Sequence, residues 1–322
     1  MSTMLRRRML MADGGEPQPL YAVTKEDNPE VMAVCYAQGW AADENFLTFE
    51  EAAAITDVGT AFRNHSEITH FKEFKYFINV TKIKTNAFQS CSGLKSISIP
   101  ARVTVIEGFG CYNSPLEYLY FPPNIIEFQG NPGTNFSNNK YPFELHIDDF
   151  EAYCKSTGNS CSALFNNQLN GRDTRFYLRG RELTGDIVIP SGVTALRRNL
   201  FARMEYVSSF KIPDTVVTVG QDAFSYVGAG IIDLGNGVQT IEQSGISNCR
   251  RCHTFISRAM TAPTLGSNAF QYMGYSVQGT TKRLVVPRGS TGYDADQWKT
   301  TLQDTKGLDG KSFILTYLDE YE

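Results

Sequence analysis

The stretch "VTKIKTNAFQSCSGLKSISIP", residues 80–100, decides the fold because the chain repeats it. Its echoes are "VTVIEGFGCYNSPLEYLYFP" (103–122), "VTALRRNLFARMEYVSSFKIP" (193–213), "VVTVGQDAFSYVGAGIIDLG" (216–235) and "VQTIEQSGISNCRRCHTFIS" (238–257). The copies open on Val80, Val103, Val193, Val216 and Val238, each followed three residues later by Ile83, Ile106, Leu196, Val219 or Ile241. Five residues further stand Phe88, Phe201, Phe224 and Ile246, whereas Phe109 comes two early. The strands at the ends of the copies alternate, which turns Ile97/Ile99, Leu119/Phe121, Phe210/Ile212 and Ile232/Leu234 inward, with Ile187/Ile189 and Leu284/Val286 in the same pattern. A unit of 22 or 23 residues cannot bury such a row alone, so neighbouring copies must stack and share one core.

Repeats of about 20–29 residues with one short strand and a bend per coil are leucine-rich repeats. "NAFQSCSGLKSISIP" (86–100) is close to the pattern "aF..C..L..I.IP..V..I", and over roughly residues 70–300 the chain resembles the BspA-type leucine-rich repeats. The resemblance implies an α+β repeat protein, a leucine-rich-repeat β-solenoid with a small helical N-terminal region and an α/β insert. The expected organisation is an extended arm (1–24), a helical cap with a degenerate EF-hand-like loop (25–70), repeats (71–128), the α/β insert (129–182), repeats with a closing coil (183–300) and a C-terminal cap (301–322). "LHIDDFEAYCKSTGNS" (145–160) is similar to an insert that recurs in such proteins, and "RLVVPRGSTGYDADQW" (283–298) to the coil that closes them.

The repeat register settles the most chemical-looking motif, "NCRRCH" (248–253), which matches the attachment signature of a c-type haem. Cys249 follows Ile246 by three residues as Cys91 follows Phe88, and Cys252 follows Cys249 as Leu94 follows Cys91. The pair therefore reads as two inward-facing core positions that both happen to be Cys, with His253 beside the strand where Lys95 falls. Met204 and Val207 fill the same two positions in another coil. No cofactor and no metal site is expected. A lone Cys-x-x-Cys is weak support for zinc, and His65 and His70 in "NHSEITH" have a spacing that suits no familiar metal pair.

Two acidic stretches have structural roles in this reading. "DDFE" (148–151) stands where a helix would begin, so its carboxylates read as caps rather than as an acid–base pair. Proteins of the resembled family often carry an EF-hand-like loop ahead of "F.ELKYF", here "FKEFKYF" (71–77). Counting back from Glu51 as the twelfth position puts Trp40 first and Asn45 sixth, where a calcium loop wants Asp and Gly, so a metal-free cap is expected.

Composition narrows the function. The 322 residues are 42% hydrophobic and 20% charged, as in an ordinary folded protein, and the net charge of −4 speaks against a nucleic-acid partner. Seven cysteines cannot all pair within one chain, and no run of residues is apolar and long enough for a membrane span. "MSTMLRRRMLMADGG" opens like a secretory signal, but its apolar stretch ends at Asp13, so no signal peptide is expected and the chain is read as made in the cytoplasm. No phosphate-binding loop, nucleophile elbow or dinucleotide fingerprint occurs, and no enzyme is expected.

The functional residues are therefore sought on the outward side of the strands. Alternation places Ser98, Tyr120, Val188, Lys211, Asp233 and Val285 on the open face, with Tyr118 beside Tyr120. Tyr118, Tyr120, Lys211 and Asp233 are the candidate partner surface for a protein or surface glycan, since neighbouring tyrosines give large contact area at low entropy cost. The competing reading is that the insert covers them. The resemblance implies a non-catalytic recognition or adhesion protein. Similar repeats occur in phage and prophage genes, so the expectation is an exposed particle component (fibre, tail or capsid accessory). Arg6, Arg7 and Arg8 would then form a docking arm onto other subunits or within a homo-oligomer. The alternatives are a cell-surface or secreted adhesin, and a metalloprotein or enzyme built around Asp148, Asp149, Cys154 and Cys161 in the insert.

Overall fold

The computed structural model describes residues 19–107, 114–122, 127–128, 143–156, 174–295, 298 and 313–322. Two rows of parallel strands run along a solenoid. The long-strand row begins with a six-stranded sheet of His70–Phe71, Ser96–Ser98, Tyr118–Phe121, Phe143–Ile147, Thr174–Leu178 and the antiparallel Arg181–Glu182. A second six-stranded sheet holds Gly185–Val188, Val207–Lys211, Ile231–Leu234, Thr254–Ser257, Arg283–Val286 and Ile314–Tyr317. The short-strand row has three two-residue strands in one sheet (Lys82–Ile83, Val105–Ile106, Glu127–Phe128) and four in another (Ala195–Leu196, Thr218–Val219, Thr240–Ile241, Thr264–Leu265).

Proline makes several of the corners between the two rows. The carbonyls of Pro100, Pro190 and Pro213 accept from the N–H groups of Val103, Val193 and Val216 at 3.0–3.2 Å, closing a turn at a residue that has no N–H to leave unpaired. The next turn, before the following long strand, needs left-handed backbone twice: Asn199/Arg203, Asp222/Tyr226, Ser244/Asn248 and Asn268/Tyr272 all have φ between 54° and 66°. The valine and aliphatic columns and all six inward strand pairs are buried. Phenylalanines stack coil on coil, with Phe201 and Phe224 at 5.4 Å and Phe62 and Phe88 at 5.5 Å. The repeat register thus reaches back to Phe62, with Ile68 three residues before Phe71 as Leu94 is before Ile97, inside the stretch read as an N-terminal cap.

Ahead of it lie helices α1 (Pro29–Ala37), capped by Asn28, and α2 (Phe49–Ala54). Thr48 and Glu51 form a reciprocal capping box on α2. The Glu51 carboxylate accepts from the Thr48 N–H at 2.8 Å, the Thr48 hydroxyl at 2.9 Å and the Ala42 N–H at 2.9 Å. These bonds, the Thr48 N–H foremost, hold it below the usual carboxylate range. The residue counted as the twelfth loop position thus ties the loop to its own helix.

The described part of the insert adds strands to the sheet. Phe143–Ile147 pairs in register with Tyr118–Phe121, and Thr174–Leu178 pairs with Phe143–Ile147, so both extend the sheet. Between them in sequence, helix α3 (Phe150–Lys155) packs beside strand Ala195–Leu196, and the buried Tyr153 hydroxyl donates to the Leu200 carbonyl at 2.7 Å. Asp149 caps α3 by accepting from the Ala152 N–H at 2.9 Å, and Glu151 pairs with Lys155 at 2.6 Å. At the other end Trp298 is buried against Phe270 and donates its indole N–H to the Pro263 carbonyl at 3.0 Å.

Two of the residues expected on the open face are covered. Ser98 is 5% exposed because it lies beside Tyr118 and hydrogen-bonds its hydroxyl. Val285 is fully buried and Ile256 beside it nearly so. Helix α4 (Leu318–Tyr321) packs on strand Arg283–Val286 there, and Asp319 and Glu320 grip Arg288 while Glu322 reaches Arg258.

Candidate aromatic recognition face

The extension of the first sheet by the insert is what builds the site. Register sets Tyr120, His146 and Tyr177 in one row across three strands, and Tyr118, Glu144 and Arg175 in the row before it. Leu119, Leu145 and Phe176, between these rows, point inward and are buried, so both polar rows face out. His146 is sandwiched: its ring lies 4.4 Å from that of Tyr177 with an interplanar angle of 2°, and 4.4 Å from that of Tyr118. The imidazole Nε2 is 3.0 Å from Glu144 Oε2, which fixes the ring in the stack.

Cations and carboxylates rim this ladder. Lys72 Nζ stands 5.0 Å over the Tyr118 ring and the Arg175 guanidinium 5.2 Å over the Tyr206 ring. Arg175 also faces Glu182 at 3.9 Å. The Tyr120 hydroxyl donates to the Asp148 carboxylate, and Arg179 Nε donates to the Asp148 carbonyl at 2.8 Å. Burial, followed by the Asp148 charge and hydrogen bond, pushes Tyr120 well above the usual phenol range, and burial raises Tyr118. Both phenols stay protonated and able to donate. The result is a row of flat rings with polar edges and locally balanced charge, a surface that can stack a ring or a planar group and hydrogen-bond its periphery.

The structure divides the candidate residues. Tyr118 and Tyr120 lie together in the ladder, while Lys211 and Asp233 are register partners on the second long sheet. Lys211 is exposed there. Asp233 accepts both Arg258 Nε at 2.8 Å and Nη2 at 2.9 Å, a bidentate pair that occupies its carboxylate. Arg6, Arg7 and Arg8 lie outside the described residues, as does Cys161. Sequence reading missed His146, Arg175 and Tyr177. Their signal was the alternation of "LHI" and "RFYL", unusable until the register of the insert strands is known.

The five cysteines among the described residues are buried, Cys91, Cys249 and Cys252 at the positions the repeat register implies. Cys249 and Cys252 are fully buried, and Cys249 Sγ donates to the Phe224 carbonyl at 3.1 Å. Cys91 Sγ does the same to the Phe62 carbonyl at 2.9 Å, and Ser114 Oγ to that of Phe88 at 3.0 Å. The thiol thus satisfies a buried carbonyl of the preceding coil. Burial pushes Cys35, Cys91, Cys154 and Cys252 up to about 12, and Cys249 well above its usual value. Among the described residues, no three His, Cys, Asp or Glu side chains group as metal ligands, and no helix is long and apolar enough to cross a membrane.

A family model described as a BspA type leucine rich repeat region matches in six copies, over residues 52–142 and 175–280. No curated protein matches the chain. Among solved structures, a leucine-rich cell surface protein from Faecalibacterium prausnitzii aligns at 18% identity and a TM-score of 0.42, over 74% of this chain and 58% of that one. The chain therefore spans less than two thirds of that protein's length. A leucine-rich-repeat protein from Bacteroides ovatus aligns at 16% identity and a TM-score of 0.47, over 88% of this chain and 70% of that one.

Proposed function

Since the chain belongs to the BspA-type leucine-rich-repeat family, we propose that it is a non-catalytic recognition and adhesion protein whose open-face aromatic ladder holds a protein or surface glycan. The stacked trio Tyr118, His146 and Tyr177, with ring spacings of 4.4 Å, carries this reading. Three rings on three strands form a rigid platform with little side-chain entropy left to lose on binding. The rival centre in the insert has its groups engaged otherwise: Asp149 caps a helix, Asp148 accepts from Tyr120, and burial keeps the Cys154 thiol protonated.

The finer setting we propose is display on a phage or prophage particle, with the arm bearing Arg6, Arg7 and Arg8 docked onto other subunits. A cell-surface or secreted adhesin is the other setting. Deleting residues 1–20 should abolish assembly and leave the melting temperature of the solenoid within about a degree. A truncated protein that still assembles would remove the arm's role. For the ladder, glycan and host-surface protein arrays probed with the full chain should give a ligand whose affinity falls about tenfold in Tyr177→Ala and His146→Ala. Ligands bound equally by both variants would place recognition elsewhere.

A further inference from the structure

A second surface lies on the turn side of the coils, independent of the ladder. From Gln243 to Tyr293 the chain has no Asp or Glu, although it carries Arg250, Arg251, Arg258, Lys282, Arg283 and Arg288 and the whole chain is net acidic. Arg258 and Arg288 are taken up by carboxylates of Asp233 and the C-terminal segment. Arg250 and Arg251, the two residues inside "NCRRCH", are exposed, and no carboxylate among the described residues pairs with them. The buried cysteines on either side hold these two guanidiniums at the surface.

Tyrosines line the same side. Tyr226 and Tyr272 occupy equivalent turn positions and are 39% and 43% exposed. The Arg203 guanidinium lies 4.6 Å over the Tyr226 ring. That of Arg250 lies 5.9 Å from Tyr272 and 5.8 Å from Tyr275, whose rings meet edge to face at 5.7 Å. These positions are costly for tyrosine. Tyr226 has φ +63° and Tyr272 φ +57°, a region that tolerates Asn and strains a bulky side chain, and the same column holds Asn248 at +57°, Ser90 at +61° and Arg203 at +66°. Asparagine would suit the turn backbone better at both sites, so the backbone conformation does not call for the rings.

We propose that Tyr226, Arg250, Arg251, Tyr272 and Tyr275 form a track for an anionic polysaccharide running along the solenoid axis, with the buried Arg203 guanidinium backing the Tyr226 ring. Coils repeat at about 4.8 Å and the coil of Asn248 lies between them, so Tyr226 and Tyr272 fall about 10 Å apart along the axis, two rings on which sugar faces stack, while the Arg250 and Arg251 guanidinium edges take carboxylate or sulfate oxygens. An extended acidic peptide fits less well. The backbone N–H groups of Arg203, Tyr226 and Asn248 are already spent on the carbonyls of Ser225, Ser247 and Gln271 in the next coil, leaving no edge for strand addition. A nucleic acid needs a denser cluster of cations than two free exposed arginines.

The test is titration of the full chain with a hyaluronan decasaccharide, a chondroitin sulfate decasaccharide, a neutral dextran of similar size, poly-glutamate and oligo-dT. Binding to one or both anionic sugars, weakened by salt and absent with dextran, is expected. Arg250→Gln with Arg251→Gln should weaken it about tenfold. Tyr226→Asn and Tyr272→Asn should each weaken it about fivefold while leaving the melting temperature unchanged or raised by about a degree. Equal binding of dextran, or no binding of either anionic sugar, overturns the proposal. So does binding of poly-glutamate or oligo-dT as tight as that of the sugars, or a melting temperature lowered by several degrees in the tyrosine variants. Tyr177→Ala on the open face should leave this binding intact, so failure here and failure of the ladder are separable.

Discussion

Raising the pH should unfold this solenoid through its cysteines. Cys35, Cys91, Cys154 and Cys252 are pushed by burial up to about 12 from about 9 in the open chain, and Cys249 is raised further. The folded state keeps these thiols neutral, so the unfolded chain loses their protons first. Their contribution is complete below pH ~9 and is lost as the pH climbs from ~9 towards ~12. At pH 10, one unit above the open-chain value, each thiol favours unfolding about tenfold, or about 1.4 kcal/mol. Five exposed together remove about 7 kcal/mol, comparable with the 5–15 kcal/mol that holds a typical domain. The assay is urea denaturation followed by circular dichroism at pH 7, 8.5 and 10, on the wild type and on Cys91→Ser and Cys249→Ser. Serine keeps a donor for the Phe62 or Phe224 carbonyl, as Ser114 does for Phe88. It should cost about 1–2 kcal/mol at pH 7 for burying a more polar group. It does not ionise, so at pH 10 the gap between each variant and the wild type should close by about 1.4 kcal/mol. A gap of constant size across the three pH values would refute the reasoning.

Three further outcomes are expected. Cys252→Leu should change stability by less than about 1.5 kcal/mol, because the repeat places Leu94 at the equivalent position; a larger loss in a melt would mean that this coil has no room for the extra volume. Glu51→Gln should lower stability by about 1–2 kcal/mol through loss of the charged capping box, equally with and without calcium; a calcium-dependent melting shift in the wild type that vanishes in the variant would show the loop to be a metal site. Gly228→Ala should cost about 3 kcal/mol or more, since its new Cβ would fall 1.9 Å from the Glu205 backbone carbonyl oxygen; a variant with the wild-type denaturation midpoint would contradict that close approach.

Periodicity made the buried half of this molecule readable and left the exposed half largely unread. The columns of Val216, Val219, Phe224 and Ile232 follow from a repeat of 22 or 23 residues combined with strand alternation, and the same register located Cys249 and Cys252 in the core. Phe62 escaped because its coil lacks the Val-x-x-Ile lead at the usual distance. Alternation tells which face a side chain joins but not what lies over that face. Ser98 and Val285, expected on the open face, are buried: one hydrogen-bonds Tyr118 and the other lies on the strand where α4 packs. The ladder was half legible for the same reason. Tyr118 and Tyr120 belong to a repeat strand, whereas His146 and Tyr177 belong to insert strands whose register depends on pairing rather than period. The turn track shows the opposite case. Arg203, Tyr226, Asn248 and Tyr272 recur at 22–24 residues and could have been aligned from the sequence. Only the left-handed φ, invisible in the letters, shows that tyrosine strains the turn there, the observation on which the proposed track rests.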